Sequence, residues 1–376
     1  MTTDRRSFLR RAATSVAAAS PFLHSAVVFA QTPAVQPVRR EFNPQPGAWR
    51  TFDVTTRVDI TKPQGATQVW LPVPAVESDW QRSLTSDFRS NGSARLTEDR
   101  QYGARMLHVG FEPGVAAPYV EITSRVQTRS RAADMSQKTA SAEDAASLRF
   151  WTQPTRLLPT DGIVRETAIH ATRGARTDVQ KAQQIYDWVV ANTYREPKVR
   201  GCGEGDIKTM LETGNLGGKC ADLNAIFVGL CRAAGLPARD VYGIRLAPSA
   251  FGYKELSGNP ASLKGAQHCR AEVHLAGHGW VAMDPADVAK VMRMETPDWI
   301  KTTQHPVVAP VNRKLFGGWE GNWMAWNMAH DVKLPQAQGP ELGFFMYPTA
   351  ETGGQRLDSY APDDFKYQIT AREVQA

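Results

Sequence analysis

Residues 217–246 leave few choices of local structure. Cys220, Leu223, Asn224, Phe227, Leu230, Cys231 and Ala234 recur at three- and four-residue steps. They predict an amphipathic helix that begins at or near Cys220 and ends at Gly235-Leu236-Pro237. Short strand-like runs follow at residues 241–246, 271–276 and 280–284, with Gly277-His278-Gly279 as the turn of a hairpin. Upstream, Thr177 and Gln180 form a capping-box pattern, and Val179, Ala182, Ile185, Tyr186 and Val189 make one apolar stripe. That helix must stop before Pro197. Between the two helices, the glycine- and charge-rich residues 199–218 read as a loop.

The flanking regions read differently. From Phe52 onward, apolar residues alternate at 52–60, 69–73, 107–111 and 120–126 between Pro, Gly, Asn and Ser turns. This predicts a small antiparallel, sandwich-like β-domain over residues 48–130. The last ~80 residues hold Trp299, Trp319, Trp323 and Trp326 and are expected to wrap the central unit. Aromatic packing is the favoured reading of those tryptophans over sugar stacking. The 376 residues exceed what one core serves, and no internal repeat is present.

Residues 1–30 combine a charged start, an alanine-rich apolar stretch and a small-residue end at Val28-Phe29-Ala30, the pattern of a cleaved export signal. Arg5-Arg6-Ser7-Phe8-Leu9 adds a twin-arginine address. The twin-arginine translocase is therefore an expected partner during export, and the periplasm the expected location. Residues 31–47 read as a linker. The formal net charge is +6, but four arginines and one aspartate fall within the first thirty residues. The remainder is mildly basic without a long Lys/Arg block, which argues against nucleic acid as a partner. The four cysteines, 202, 220, 231 and 269, contain no C-x-x-C pair, which argues against a structural zinc site and a redox dithiol.

A thiol at the first turn of a helix is made acidic by unpaired N–H groups and aligned peptide dipoles. Cys220 has that position, and Gly217-Gly218 before it permit a tight turn. Cys231, on the same face, reads as a small buried hydrophobe. A thiolate needs a proton-exchanging base and a group that orients the base. His268, His274 and His278 are the candidate bases, and Asp284 and Asp287 the candidate carboxylates. Periodicity does not choose between His268 and His274, which share a strand face.

The run GGKCADLNAIFVGLCRAAGLPAR, residues 217–239, resembles the cysteine segment of the transglutaminase-like superfamily. Residues 268–285 resemble the superfamily's histidine and Asp-Pro block, with Glu272 and Val273 at its E-V pair. The resemblance implies Cys220 as nucleophile, His268 as base and Asp284 as orienting acid. It implies a papain-like α+β core over residues 160–290, with the nucleophile helix packed on an antiparallel sheet. Residues 291–376 are then a Trp-rich extension. It also implies a thioester intermediate in acyl transfer or hydrolysis at a peptide or amide bond, with a peptide or protein substrate, possible in the cell envelope. Calcium sites of the animal crosslinking enzymes are not carried over, because no D-x-D-rich loop is present, and no cofactor is expected. Cys269 and Arg270 depart from the usual Ala-Trp and put a second thiol near the first. A tight hairpin at Gly277 would set Asp284 opposite a residue near Glu272, so an offset or bulge is needed to reach His268.

The alternative is a binding or assembly module that keeps the fold without turnover. Asp222 and Asp287 read as a solvated helix acid and a loop acid, and Asn224 as a polar residue near the site. Asp240 and Arg245 read equally as groove-lining or surface charges. Residues 201–206, with Cys202, precede the nucleophile segment and can cover the cleft.

Overall fold

A computed structural model describes residues 41–375; the signal segment and residues 31–40 of the linker lie outside the described residues. The expected α+β class holds. The central sheet has four antiparallel strands in the order Gly279–Met283, Gln267–Leu275, Ala238–Arg245, Trp323–Asn327. The helix Cys220–Ala233 lies against this sheet, and the helices Gly162–Ala171, Asp178–Asn192 and Pro285–Met294 pack on it as well. Residues 220–232 are consequently buried on every face, so the helix is central rather than amphipathic. Leu223, Ile226, Phe227 and Leu230, fully or almost fully buried, supply its packing.

Local sequence rules place the neighbouring elements. Thr177 Oγ1 accepts from Gln180 N at 3.2 Å and caps the helix Asp178–Asn192, whose Ala182, Ile185, Tyr186 and Val189 are buried. Within residues 199–218, read as a loop, the structure forms the short helix Ile207–Thr213, capped by Asp206 and ended by Gly214 at φ +69°. Too short to show a periodic stripe, it is held by Ile207 packing into the main core.

The N-terminal strands form two further sheets. One has the order Tyr367–Val374, Arg50–Asp59, Tyr119–Thr128, Gln81–Ser90, and the other Gln355–Arg356, Thr349–Thr352, Thr67–Pro72, Arg105–Phe111, Ser93–Glu98. Val54, Val58, Leu71, Leu107, Ile122 and Val126 share one apolar cluster that is continuous with Cys202, Cys220 and Cys269. Residues 291–376 supply strands to both of these sheets and Trp323–Asn327 to the central one. Trp319, Trp323 and Trp326 are each 1 % exposed, which makes them core residues and not a stacking surface. No helix among the described residues is long and apolar enough to cross a membrane.

Candidate active site

Cys220 is the first residue of its helix, so its N–H has no carbonyl four residues back within the helix. Two segments fix this start. Asp222 Oδ2 accepts from Lys219 N, and Asp222 Oδ1 accepts from Glu204 N and Gly205 N, each at 2.9 Å. Ala221 N donates to Cys202 O at 2.9 Å. Asp222 is therefore a buried clamp between the helix start and residues 203–205, not the solvated acid expected from sequence. Its carboxylate fills the space a side chain at residue 203 would need: a Cβ on Gly203 would stand 1.8 Å from Asp222 Oδ2, and φ there is +92°. Only glycine fits that place.

The base and the acid come from adjacent strands. His268 lies near the start of strand Gln267–Leu275, and its carbonyl accepts from Trp323 Nε1 at 2.9 Å. In the hairpin, Met283 pairs with Ala271 and Ala282 with Glu272, without a bulge. Asp284 leaves the strand at φ −153°, ψ 69° and caps the helix Pro285–Met294, accepting from Asp287 N at 3.1 Å. This exit, rather than an offset or bulge in the hairpin, lets Asp284 Oδ2 reach His268 Nε2 at 2.7 Å. Asn224 Nδ2 donates to Asp284 Oδ1 at 3.3 Å and to Cys269 O at 2.8 Å, so a residue read as merely polar ties the nucleophile helix to both strands.

Asp287, read both as a candidate carboxylate and as a loop acid, and Arg245, read equally as groove-lining or surface, are both buried at the site. They are 1 % and 2 % exposed, and Arg245 Nη2 reaches both Asp287 oxygens at 2.5 and 2.7 Å. Asp287 Oδ2 lies 3.3 Å from His268 Nε2, and Arg270 Nε 3.6 Å from Asp284 Oδ2. One imidazole, two carboxylates and two guanidiniums thus share a buried cluster. His268, Asp284 and Asp287 present oxygen and nitrogen atoms within 4.8 Å of one another, a spacing a cation can use. Arg245 already neutralises Asp287, however, so a divalent ion would have to displace a buried guanidinium. Asp240, the other acid left open, is fully buried 3.4 Å from His330 Nε2 and so is not a surface charge.

With Nε2 engaged by carboxylate, the Nδ1 face of His268 remains for the thiol. Burial opposes charge on Cys220, but the neighbouring Cys202 and Cys269 thiols and the positive charge of His268 hold its pKa well below the usual thiol range. Burial and Arg245 oppose charge on His268; Asp287 and Asp284 outweigh them and raise it to about 9. The Cys202 thiol is raised, mainly by its hydrogen bond with Cys220. Cys231 lies deeper in the same helix, and burial pushes it well above an ordinary thiol.

His274 is not part of this group. It stands six residues along the strand from His268, about 20 Å at strand rise, with its ring against Trp280. His278 sits in the hairpin turn. Sequence reasoning left Arg245 open between groove and surface and did not find Trp323 or Tyr347 as neighbours of the site. Each comes from a separate strand or loop, and no local spacing links them to Cys220.

Residues 165–285 match the transglutaminase-like superfamily. An uncharacterized protein of Haemophilus influenzae is 34 % identical over 343 residues, covering 86 % of this chain and 91 % of that protein. A protein of Cytophaga hutchinsonii, described as a candidate cysteine protease, superposes with a TM-score of 0.54 at 14 % identity, covering 88 % of this chain and 93 % of that one. This last likeness concerns the fold. The matched segment spans both the Cys-opened helix and the His-bearing hairpin, and the chain belongs to the transglutaminase-like superfamily.

Proposed function

We propose that this protein is an exported thiol enzyme that cleaves a peptide or amide bond, with Cys220 as nucleophile, His268 as proton carrier and Asp284 as its orienting acid. One observation carries this function: His268 is held by Asp284 at 2.7 Å on one ring nitrogen, and Asn224, one turn along the helix that Cys220 opens, bonds both Asp284 and the Cys269 carbonyl, which ties that pair to the nucleophile helix. The Cys220 thiolate attacks the carbonyl carbon, forming the C–S bond, and the Cys220 N–H is placed to donate to the resulting oxyanion. His268 passes its proton to the leaving nitrogen as the C–N bond breaks, which leaves a thioester and neutral imidazole. Water then attacks, His268 takes its proton, and the C–S bond breaks to restore thiolate and imidazolium. An amine in place of water would give crosslinking; hydrolysis is the preferred reading, and the periplasm the preferred location, with envelope peptide or protein as substrate.

The test is acid-quenched mass spectrometry of the mature protein after brief incubation with a peptide mixture. An acyl adduct on Cys220, absent from Cys220→Ala and discharged by water to shortened peptides, is the expected result. Intact peptides and an unmodified Cys220 across the mixture, in reductant, contradict the proposal and favour a binding module.

A further inference from the structure

Residues 340–344 and 356–360, with Leu157 and Tyr347, surround a cavity of about 800 Å³. Its floor is apolar: Leu157, Leu342, Phe344 and Leu357 line it together with the ring faces of Tyr347 and Tyr360. Two ring contacts make that floor firm. Phe344 stacks on the buried Tyr242 at 4.9 Å, and Tyr347 meets Tyr360 edge-on at 4.9 Å.

One wall of this cavity is also the wall of the thiol group. Tyr347 shares one apolar cluster with Cys202, Cys220 and Cys269, and Tyr360 Oη donates to Gly203 O at 3.4 Å. The adjacent Met346 Sδ lies 3.9 Å from Cys269 Sγ. Tyr347 thus belongs both to the cavity lining and to the apolar cluster that holds Cys220. The cavities beside His278, beside Lys333 and beside Asp59 include neither Tyr347 nor Tyr360.

The charges at the mouth narrow the occupant. Arg356 is engaged by Glu351, Asp358 by Arg200, Arg156 faces Asp331 at 3.6 Å and Glu341 faces Lys333 at 3.9 Å. These balance, while Glu204 adds an exposed carboxylate on the side nearest Cys202. An acidic side chain would meet that carboxylate and an apolar floor, and a small one would leave the floor in contact with water.

We infer that this cavity is the subsite for a bulky apolar or aromatic side chain on the substrate residue whose carbonyl is attacked. The inference rests on Cys220 being the nucleophile, as proposed above. Substrate choice is then set by the C-terminal segment, which supplies Leu342, Phe344, Tyr347, Leu357 and Tyr360 to the cavity.

The experiment uses a series of peptidyl chloromethyl ketones that differ in the residue bearing the ketone: Phe, Leu, Gly or Asp. Each alkylates a nucleophilic thiol with loss of chloride, and labelling of Cys220 in the mature, reduced protein is followed by mass spectrometry. The Phe and Leu probes are expected to label Cys220 at least about tenfold faster than Gly, the scale on which an apolar pocket discriminates, with Asp slowest. Leu342→Glu is expected to bring the Phe/Gly ratio down toward one. Equal rates for all four, or a preference for Asp, overturn the inference while leaving Cys220 as nucleophile. Cys220 unlabelled by any probe or by iodoacetamide overturns the nucleophile assignment and the inference together.

Discussion

The strand Gln267–Leu275 carries two buried charge clusters of opposite character. At its Glu272 position, two arginines hold one carboxylate: Arg131 and Arg239 both bond Glu272, the latter at 2.6 Å. Arg239 also lies 3.8 Å over Trp280, and Arg131 4.8 Å over Trp319. Burial opposes charge on Glu272, but the two guanidiniums hold its pKa below the ordinary value. At the His268 end, the charges are as buried and as closely paired, yet one partner is an imidazole raised to about 9 and its neighbour is a thiol driven the other way. Burial and pairing therefore do not distinguish a structural cluster from a chemical one. The distinction is a pair of groups whose environments push their pKa values in opposite directions.

Substitutions at the two ends should separate them. The largest effect is at the chemical end. Cys220→Ala should abolish acyl-adduct formation, and His268→Ala should reduce turnover of a cleaved peptide by at least about 10³-fold, measured as product release. At the structural end, Glu272→Gln leaves two partly buried guanidiniums without their carboxylate. It should cost roughly 3–5 kcal/mol of stability in urea denaturation, while the alkylation rate of Cys220 stays within a few-fold of wild type. A large loss of thiol reactivity in that variant would erase the distinction.

The pH dependence of stability sharpens the same comparison. Glu272 has a lowered pKa, so its contribution is present above its unfolded value of about 4.5 and is lost as pH falls through the folded one. His268 has a raised pKa, so its contribution is full below about 6.5 and is lost as pH rises through about 9. Glu272→Gln should flatten the acid limb of a Tm-versus-pH curve and His268→Ala the alkaline limb. The smallest effect is expected from Asp222→Ala, which removes the clamp on the helix start and should cost about 1–2 kcal/mol by the same denaturation measurement.

The parts of the molecule legible in the sequence are those whose physics is local. The Cys220 helix, the hairpin turn and the cap at Thr177 each follow from residues within one or two turns of each other. The strands Gln81–Ser90 and Ser93–Glu98 were not legible, because most of their residues face solvent and give no apolar alternation. The pairing of Arg245 with Asp287 was not legible for a related reason. They are 42 residues apart, and burial of the pair exists only once strand and helix are packed. Likewise, Tyr367–Val374 pairs with Arg50–Asp59 across most of the chain, and no spacing rule reaches that far. The position of Asp284 shows the boundary well: the Asp-Pro block marked it as the candidate acid, but the turn that swings its carboxylate to His268 is a backbone conformation, visible only in three dimensions.

The most direct measurement is the rate of Cys220 alkylation by limiting iodoacetamide between pH 5 and 9, in reductant, for wild type and His268→Ala. Wild-type Cys220 should react selectively over Cys202, Cys231 and Cys269, at a rate nearly constant down to pH 6, well below the ordinary thiol value of about 8.5. In His268→Ala the rate at pH 6 should fall by at least about a hundredfold, the thiolate fraction expected of an ordinary thiol there. A wild-type profile that rises tenfold per pH unit through pH 8, or one unchanged by removing His268, would contradict an activated thiolate–imidazolium pair.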